Sequence, residues 1–425
     1  MADKLVLVTG ANGYIASHVV QQLQQAGYRV RGTVRTLDNE EKNAPLKGLV
    51  PDAKHPLELV AANLTSDDGW NDAVKDCYAV IHMASPFPNV AEKKVKEEEL
   101  VGPAKQGTIM VLKAAAEAGV QKFVLTSSFA SVFADAAVSE ADKKFTEEDW
   151  SNPDSATIDV YSKSKVVAEK AAWDLVKELP EDKKLSLSVI NPTFVMGPPL
   201  MPCHRSATSV GFMIDILNHK LPGVARLMMP YCDVRDVARA HVQALNCEEA
   251  AGKRHIIITD CMWLKDVHTI VAKEFRPQGY RVATNVLPYF LVWISSFFME
   301  GIRGYVLPRI GTSYSVDNSR MVNVLGITPI TMEKSLVDMA YALIDLNMVA
   351  KAKKYKQVGS RAEVPAAAEP APAEDSTKIA EEQQADELPA KEQPPAEETQ
   401  QELEPEDKDK EHKEEDKKAE EVKSS

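Results

Sequence analysis

No aromatic residue follows Tyr355 in this 425-residue chain. From Arg361 onward the sequence is mostly Glu, Lys, Ala, Gln and Pro, without core-forming periodicity. Such a segment cannot bury enough apolar area to offset the entropy of ordering, so residues 361–425 are expected to be disordered. They hold 22 acidic and 9 basic residues; taken from totals of 63 and 50, these leave residues 1–360 with 41 of each sign. The net charge of −13 therefore belongs to the tail, and the pI of about 5.3 says nothing about what the rest attracts. A solubilising extension accounts for the tail; only the run 404–418 favours docking to a basic partner.

There is no basic cluster, which argues against nucleic acid as a partner. The five cysteines (Cys77, Cys203, Cys232, Cys247, Cys261) are scattered and never spaced Cys-x-x-Cys. They fit a reducing compartment without a disulfide framework and, with no signal peptide ahead of the first strand, a cytoplasmic location. The nine histidines include no His-Glu-x-x-His, and no metal is expected. Long hydrophobic runs are missing too. Residues 286–299 are apolar apart from Ser295 and Ser296, but they number 14 and contain Pro288. A spanning helix needs about 20 apolar residues, so this segment is read as a buried helix and a membrane is not expected as a partner.

What is present begins at once. Leu5-Val-Leu-Val reads as a buried strand, Gly10 and Gly13 break it, and Ile15, Val19 and Leu23 recur at helical spacing up to Gly27. A strand, a glycine turn and a helix hold the diphosphate of a nucleotide: backbone approaches the phosphates, and the helix start aims free N–H groups at them. Strand-like runs follow at 29–35, 57–61, 79–84, 122–128, 185–190 and 254–259, with helical patterns between, notably 161–177. Strands alternating with helices predict an α/β fold, a doubly wound parallel sheet that binds its ligand at the carboxyl ends of the strands. After Pro192 the alternation loosens. The loop 197–202, a helix over 209–219 and further helices to about 351 predict a smaller C-terminal lobe covering that edge, where a substrate pocket would form.

An NAD site usually places Asp or Glu at the end of the second strand. Here Val34-Arg35 stand there, and Asp38 and Glu40 lie out in the loop. The planar fork of Arg35, with Lys42 nearby, suits a 2′-phosphate, so NADP(H) is the expected cofactor. Tyr161 and Lys165 are four apart and share a helix face. Lowering a tyrosine pKa by ~3 units takes ~4 kcal/mol, and one positive charge at ~4 Å in an effective dielectric near 20 supplies about that. Tyr-x-x-x-Lys by itself is most often exposed helix surface, but Ser127-Ser128 fall at the same edge and could donate to a substrate oxygen. The plain alternative for Ser128 is a cap.

Thr9-Gly-Ala-Asn-Gly-Tyr-Ile-Ala16, His82-Met-Ala-Ser-Pro86, Leu125-Thr-Ser-Ser128, Tyr161-x-x-x-Lys165, Asn191-Pro-Thr-Phe-Val-Met-Gly-Pro198 and Tyr231-Cys-Asp-Val-Arg-Asp236 occur in order. Together they resemble the extended short-chain dehydrogenase/reductase superfamily with its Rossmann-type fold. Within it the chain is similar to the dihydroflavonol 4-reductase branch, with cinnamoyl-CoA reductases and fungal aldehyde and methylglyoxal reductases. The likeness covers about residues 4–350, with a cofactor core over 4–192 and a substrate lobe over 193–350. It implies that Ser128, Tyr161 and Lys165 are catalytic, with Tyr161 the proton donor. It places Gly10, Asn12, Gly13, Tyr14, Ile15 and Ala16 in the phosphate loop, and Arg35 and Lys42 at the 2′-phosphate. Asn63-Leu64 would lie beside the adenine, Ala84, Ser85 and Pro86 would line the cleft, and Pro192 to Val195 would back the nicotinamide. The chain departs from the pattern at Gln106, where many members have asparagine, at Ala16, and at Asn63, where Asp is usual.

The substrate candidates are Phe87, Phe129, Val132, Phe133, Met196, Met201, Phe212 and Met228. This apolar set favours a small-molecule hydrophobic aldehyde or ketone, reduced to the alcohol, over a nucleotide sugar. The alternatives are a 3β-hydroxysteroid dehydrogenase-like or sugar-epimerase-like enzyme, or a non-catalytic NADP-binding scaffold presenting the acidic tail.

Overall fold

The structure, a computed structural model, describes residues 3–86, 96–134, 143–297 and 302–356. Phe87 and the 361–425 tail lie outside them. The chain order is β1 (Leu5–Val8), α1 (Tyr14–Gln25), β2 (Arg29–Val34), α2 (Glu40–Lys47), β3 (Glu58–Ala61), α3 (Trp70–Val74), β4 (Ala79–His82), α4 (Glu97–Glu117) and β5 (Lys122–Thr126). There follow β6 (Lys144–Phe145), α5 (Val160–Glu178), β7 (Ser186–Pro192), β8 (Phe194–Met196), α6 (Thr208–Leu217), β9 (Met228–Asp233), α7 (Val234–Asn246) and β10 (Arg254–Ile257). The last are β11 (Asp260–Trp263), α8 (Leu264–Phe275), α9 (Tyr289–Ser295), β12 (Ser315–Val316), α10 (Ser319–Asn323) and α11 (Met332–Asp345).

β1 shows why the sheet needs helices on both faces. Alternate side chains point to opposite sides, and Val6 and Val8 join the core beneath α1 and α7, while Leu5 and Leu7 join the one beneath α4. Both faces of the strand are apolar, and all four residues are buried. Seven strands pair in parallel in the order β10-β7-β5-β4-β1-β2-β3. Winding reverses between β1 and β4, and that switch point opens a crevice at the carboxyl edge. All seven strand runs read from the sequence enter this sheet. The smaller sheet β11-β9-β8 and the pair β12-β6 are additions that the sequence pattern did not mark. Around the smaller sheet, α6, α8 and α11 build a second apolar core that includes Met213, Val271, Phe275, Leu336 and Ile344.

One expectation, a buried helix over 286–299, is overturned for its described residues, 286–297: α9 has seven residues, and Tyr289, Phe290, Leu291, Trp293, Ile294 and Phe297 are 39–58% exposed. Pro288 stands at the N-cap, and among the described residues around α9 only Val292 and Ser296, one turn apart, turn inward. The lobe's core is made by other helices and counts none of α9 among its members. Among the described residues no helix is long and apolar enough to cross a membrane.

Behind the carboxyl edge lies a buried polar node. The Glu169 carboxylate on α5 accepts from Ser127 Oγ, from Ser131 Oγ at 2.6 Å, from Asn191 Nδ2 at 2.9 Å and from Arg254 Nε at 2.6 Å. Arg254 also donates to the carbonyls of Glu147 and Asp149 and lies 3.7 Å over the Trp150 ring. One carboxylate thus ties β5, β7, β10 and α5, the elements that aim the candidate catalytic groups. Removing one partner of a buried ion pair leaves the other uncompensated, at a cost of about 3–5 kcal/mol. Glu169→Ala is expected to destabilise by that amount in urea unfolding; a loss under ~1 kcal/mol would show that the node carries little.

Candidate active site

The glycine turn is held by strand ends, not by α1. Gly10 has φ +63°, and a Cβ there would lie 3.3 Å from Ala84 Cα, so the position takes glycine on two counts. Its N–H donates to Thr33 Oγ1 at 2.9 Å, and Gly13 N donates back to Gly10 O at 2.9 Å. Thr9 Oγ1 accepts from Met83 N and Ala84 N, both at 2.9 Å, and is 2.9 Å from His82 Nδ1. With both lone pairs used, the Thr9 hydroxyl hydrogen goes to His82 Nδ1. Burial holds the His82 pKa down at about 3, so the ring is neutral. These bonds seat Ala84 against Gly10. α1 begins at Gly13 with no side-chain cap, which leaves first-turn N–H groups for an anion.

At the end of β2, Asn12, Arg35, Thr36, Asn39 and Lys42 line a cavity of about 360 Å³. Asp38 and Glu40 do not line it. Two cations and two amide side chains around one hollow are a donor set for phosphate. The Asn39 side chain caps α2 by accepting from Lys42 N at 3.2 Å, which fixes where Lys42 leaves the chain.

The other cofactor candidates are placed unevenly. Tyr14 is buried and its hydroxyl donates to Gly197 O at 2.7 Å, so its side chain locks the turn to the loop after β8 instead of facing a ligand. Ile15 packs between two cores. Asn63 is exposed at the end of β3, where its Oδ1 accepts from Thr65 N, while Leu64 packs into the core beside α4. Ala84, Ser85, Pro86 and Val195 are half-buried, and Pro192 is buried at the end of β7. Gln106 is exposed on α4.

Ser128 does cap: it precedes a short 3₁₀ turn (Phe129–Ser131), and its Oγ accepts from Ala130 N at 3.1 Å. That leaves its hydrogen and a lone pair for the Tyr161 phenol, with which it is hydrogen-bonded. Tyr161 sits in the first turn of α5, whose N-cap Asp159 accepts from Ser162 N at 3.0 Å. Lys165 follows one turn on. Its Nζ is 5.7 Å from the Tyr161 ring centroid and donates to Ser85 Oγ at 3.1 Å.

The electrostatics differ from the expectation that Lys165 lowers the tyrosine. Burial pushes the Tyr161 phenol above its ordinary value, and the Ser128 hydrogen bond offsets this in part. Burial also lowers Lys165 to about 8, against the pull of Glu169. Desolvation outweighs the charges here.

Half of the substrate candidates fall in the core. Met196 and Met201 are fully buried in two separate clusters, and Phe129 and Val132 are buried in a third; their contacts are packing. Phe133, Phe212 and Met228 remain half-buried. Phe133 stacks on Phe145 at 4.1 Å and meets Tyr314 edge-on at 5.0 Å. Tyr231, Tyr305 and Tyr314, none of them a site candidate in the sequence reading, lie within electrostatic reach of one another, and among the described residues the buried Tyr231 hydroxyl has no hydrogen-bond partner. They come from loops and a short strand, and no spacing links them. Among the described residues no three His, Cys, Asp or Glu side chains group to hold a metal, and all five cysteines are unpaired.

A cinnamoyl-CoA reductase of Arabidopsis thaliana is 38% identical over 276 residues, 64% of this chain and 76% of its own length. The NADPH-dependent methylglyoxal reductase GRE2 of Saccharomyces cerevisiae is 33% identical over 287 residues, 64% of this chain and 82% of that protein. The crystal structure of yeast methylglyoxal/isovaleraldehyde reductase Gre2 complexed with NADPH superposes with TM-score 0.66 and 26% identity, over 81% of this chain and 99% of that one. A family profile matches residues 6–258, and the chain belongs to the NAD dependent epimerase/dehydratase family, on the extended short-chain dehydrogenase/reductase pattern that its motifs resemble.

Proposed function

We propose that the chain is an NADPH-dependent reductase of a hydrophobic aldehyde or ketone. The observation that carries this reading is the Tyr161 phenol, hydrogen-bonded to Ser128 and followed one turn on by buried Lys165, at the sheet edge that holds the glycine turn. The residues present fit a phosphorylated dinucleotide. The uncapped start of α1 offers N–H groups to a diphosphate, and the hollow around Arg35 and Lys42 offers charge to a 2′-phosphate. The reading is further supported by the relatives named NADPH-dependent or solved with NADPH.

NADPH, when bound, supplies the hydride for a carbonyl carbon. Tyr161, held protonated at neutral pH by its raised pKa, gives its proton to the carbonyl oxygen as charge builds there. Ser128 Oγ shares that oxygen by hydrogen bonding. Lys165 steadies the phenolate left behind, which regains a proton from water. In this reading residues 4–192 hold the cofactor, 193–350 cover the substrate with Phe133, Phe212 and Met228 as the open apolar candidates, and 361–425 stand outside the catalytic unit. Unpaired thiols fit a reducing, cytoplasmic setting.

NADPH consumption with a panel of aldehydes, diketones, steroids and UDP-sugars, by the chain with and without residues 361–425, tests the reading. Turnover of sugar nucleotides alone would overturn it. Tyr161→Phe should cut turnover by roughly 10²–10⁴-fold while NADPH still binds; near-normal turnover removes Tyr161 as the donor. Arg35→Ala should narrow the preference for NADPH over NADH by roughly 10- to 100-fold, from charged hydrogen bonds of about 1.5–3 kcal/mol. An unchanged ratio takes Arg35 out of the site. A lowered lysine pKa means the cation is lost early as pH rises. NADPH affinity, read by fluorescence titration, should therefore hold below pH about 8 and fall above it in the wild type, but not in Lys165→Arg. A flat wild-type profile across that pH would show that the Lys165 charge does not hold the cofactor.

A further inference from the structure

The exposed aromatic face of α9 is not explained by the fold or by the proposed reaction. Monomers rarely show a contiguous apolar patch of this kind without a partner for it. Tyr289, Phe290, Trp293 and Phe297 are each 48–58% exposed, while Val292 and Ser296 fix the element to the body. Residues 285–287 are tied down as well: Leu287 N donates to Val224 O, and Val224 N donates to Asn285 O. The face is thus held out on a fixed support.

Its charge sets it apart. Residues 276–309 contain four arginines and one acid, Glu300, within residues 1–360, whose charges balance to zero. Arg303 is exposed in the turn that packs on α9, and Arg226 is exposed beside the Val224–Val286 bridge. Trp, Tyr and Phe with arginine is the composition that settles in a headgroup layer. A second copy of the chain fits less well, because a two-fold contact would set this positive face against itself. The seven residues of α9 measure about 10 Å, far short of a bilayer core of ~30 Å, so the contact lies in the interface and does not span.

The patch also adjoins the candidate site. Arg309, at the end of the same stretch, donates to Ala134 O, six residues after Ser128. Tyr305 lies within electrostatic reach of Asp159, the cap of the helix that carries Tyr161.

We propose that α9 and its flanks form a docking surface for an anionic lipid layer, with Tyr289, Phe290, Trp293 and Phe297 entering the headgroups and Arg226 and Arg303 facing lipid phosphate. Docked this way, the protein presents the edge bearing Ser128 and Tyr161 near the bilayer, where an apolar carbonyl compound concentrates. The docking itself does not depend on the proposed reaction, and binding is read without turnover.

The test is flotation of the full chain with vesicles of phosphatidylcholine alone and of phosphatidylcholine with a third phosphatidylserine. The chain should float with the anionic vesicles, less with the neutral ones, and less at high salt. Phe290→Ser with Trp293→Ser should lower binding by roughly tenfold or more, and Arg303→Glu by roughly tenfold. Far-UV circular dichroism and the urea midpoint should stay unchanged, because these side chains are exposed. If the serine pair changes the fold, Arg303→Glu decides alone, since it leaves the apolar face intact. Three results overturn the proposal: no flotation with either vesicle, flotation that these variants do not alter, or a dimer in solution that Trp293→Ser splits into monomers.

Discussion

Everything at the candidate site depends on how closely β1 and β4 come together at their carboxyl ends. Thr9 spends its whole hydrogen-bonding capacity on that junction, accepting from Met83 and Ala84 and donating to a neutral His82. Ala84 is thereby pressed on Gly10, which leaves no room for a side chain. From this junction winding proceeds outward in both directions, to β2 and β3 on one side and β5, β7 and β10 on the other. The hollow around Arg35 and the Tyr161–Ser128 pair belong to opposite arms, and one ligand long enough to reach both must cross the junction. The close contact decides the geometry, and the arms supply the chemistry.

Burial governs the electrostatics of the second arm. Tyr161 and Lys165 both shift toward their neutral forms, the phenol upward and the ammonium downward. A reading based on charge alone makes lysine lower tyrosine. In the fold, Lys165 Nζ donates to Ser85, and the hydrogen bond from Ser128 offsets part of the burial that raises the phenol. A tyrosine that keeps its proton until an oxygen demands it is a better acid than one already ionised.

How much of this was legible in the sequence follows from what each feature depends on. The strand runs and the Gly10–Gly13 turn are local patterns, and the structure places them as read. The Tyr161–Lys165 pairing rests on helical spacing, and the Arg35 position on its place after a strand, both short-range. Glu169 and Arg254 were invisible because they stand 85 residues apart, and a glutamate on a helix ordinarily reads as solvent-facing. Met196 and Met201 misled in the opposite sense: apolar residues near a motif suit a pocket wall and a core equally, and only tertiary packing separates the two. The same ambiguity explains α9, whose composition argues for burial while its neighbours leave it outside.

The hydroxyl of Tyr14 has a consequence beyond the site. It leaves the first helix and bonds to Gly197 in the loop after β8, and its ring joins the core of the C-terminal lobe with Met213 and Leu336. The N-terminal half and the C-terminal lobe are therefore not interchangeable parts. A chimera that grafts the first 190 residues of another protein onto this lobe keeps the weld only if the side chain at position 14 still reaches Gly197.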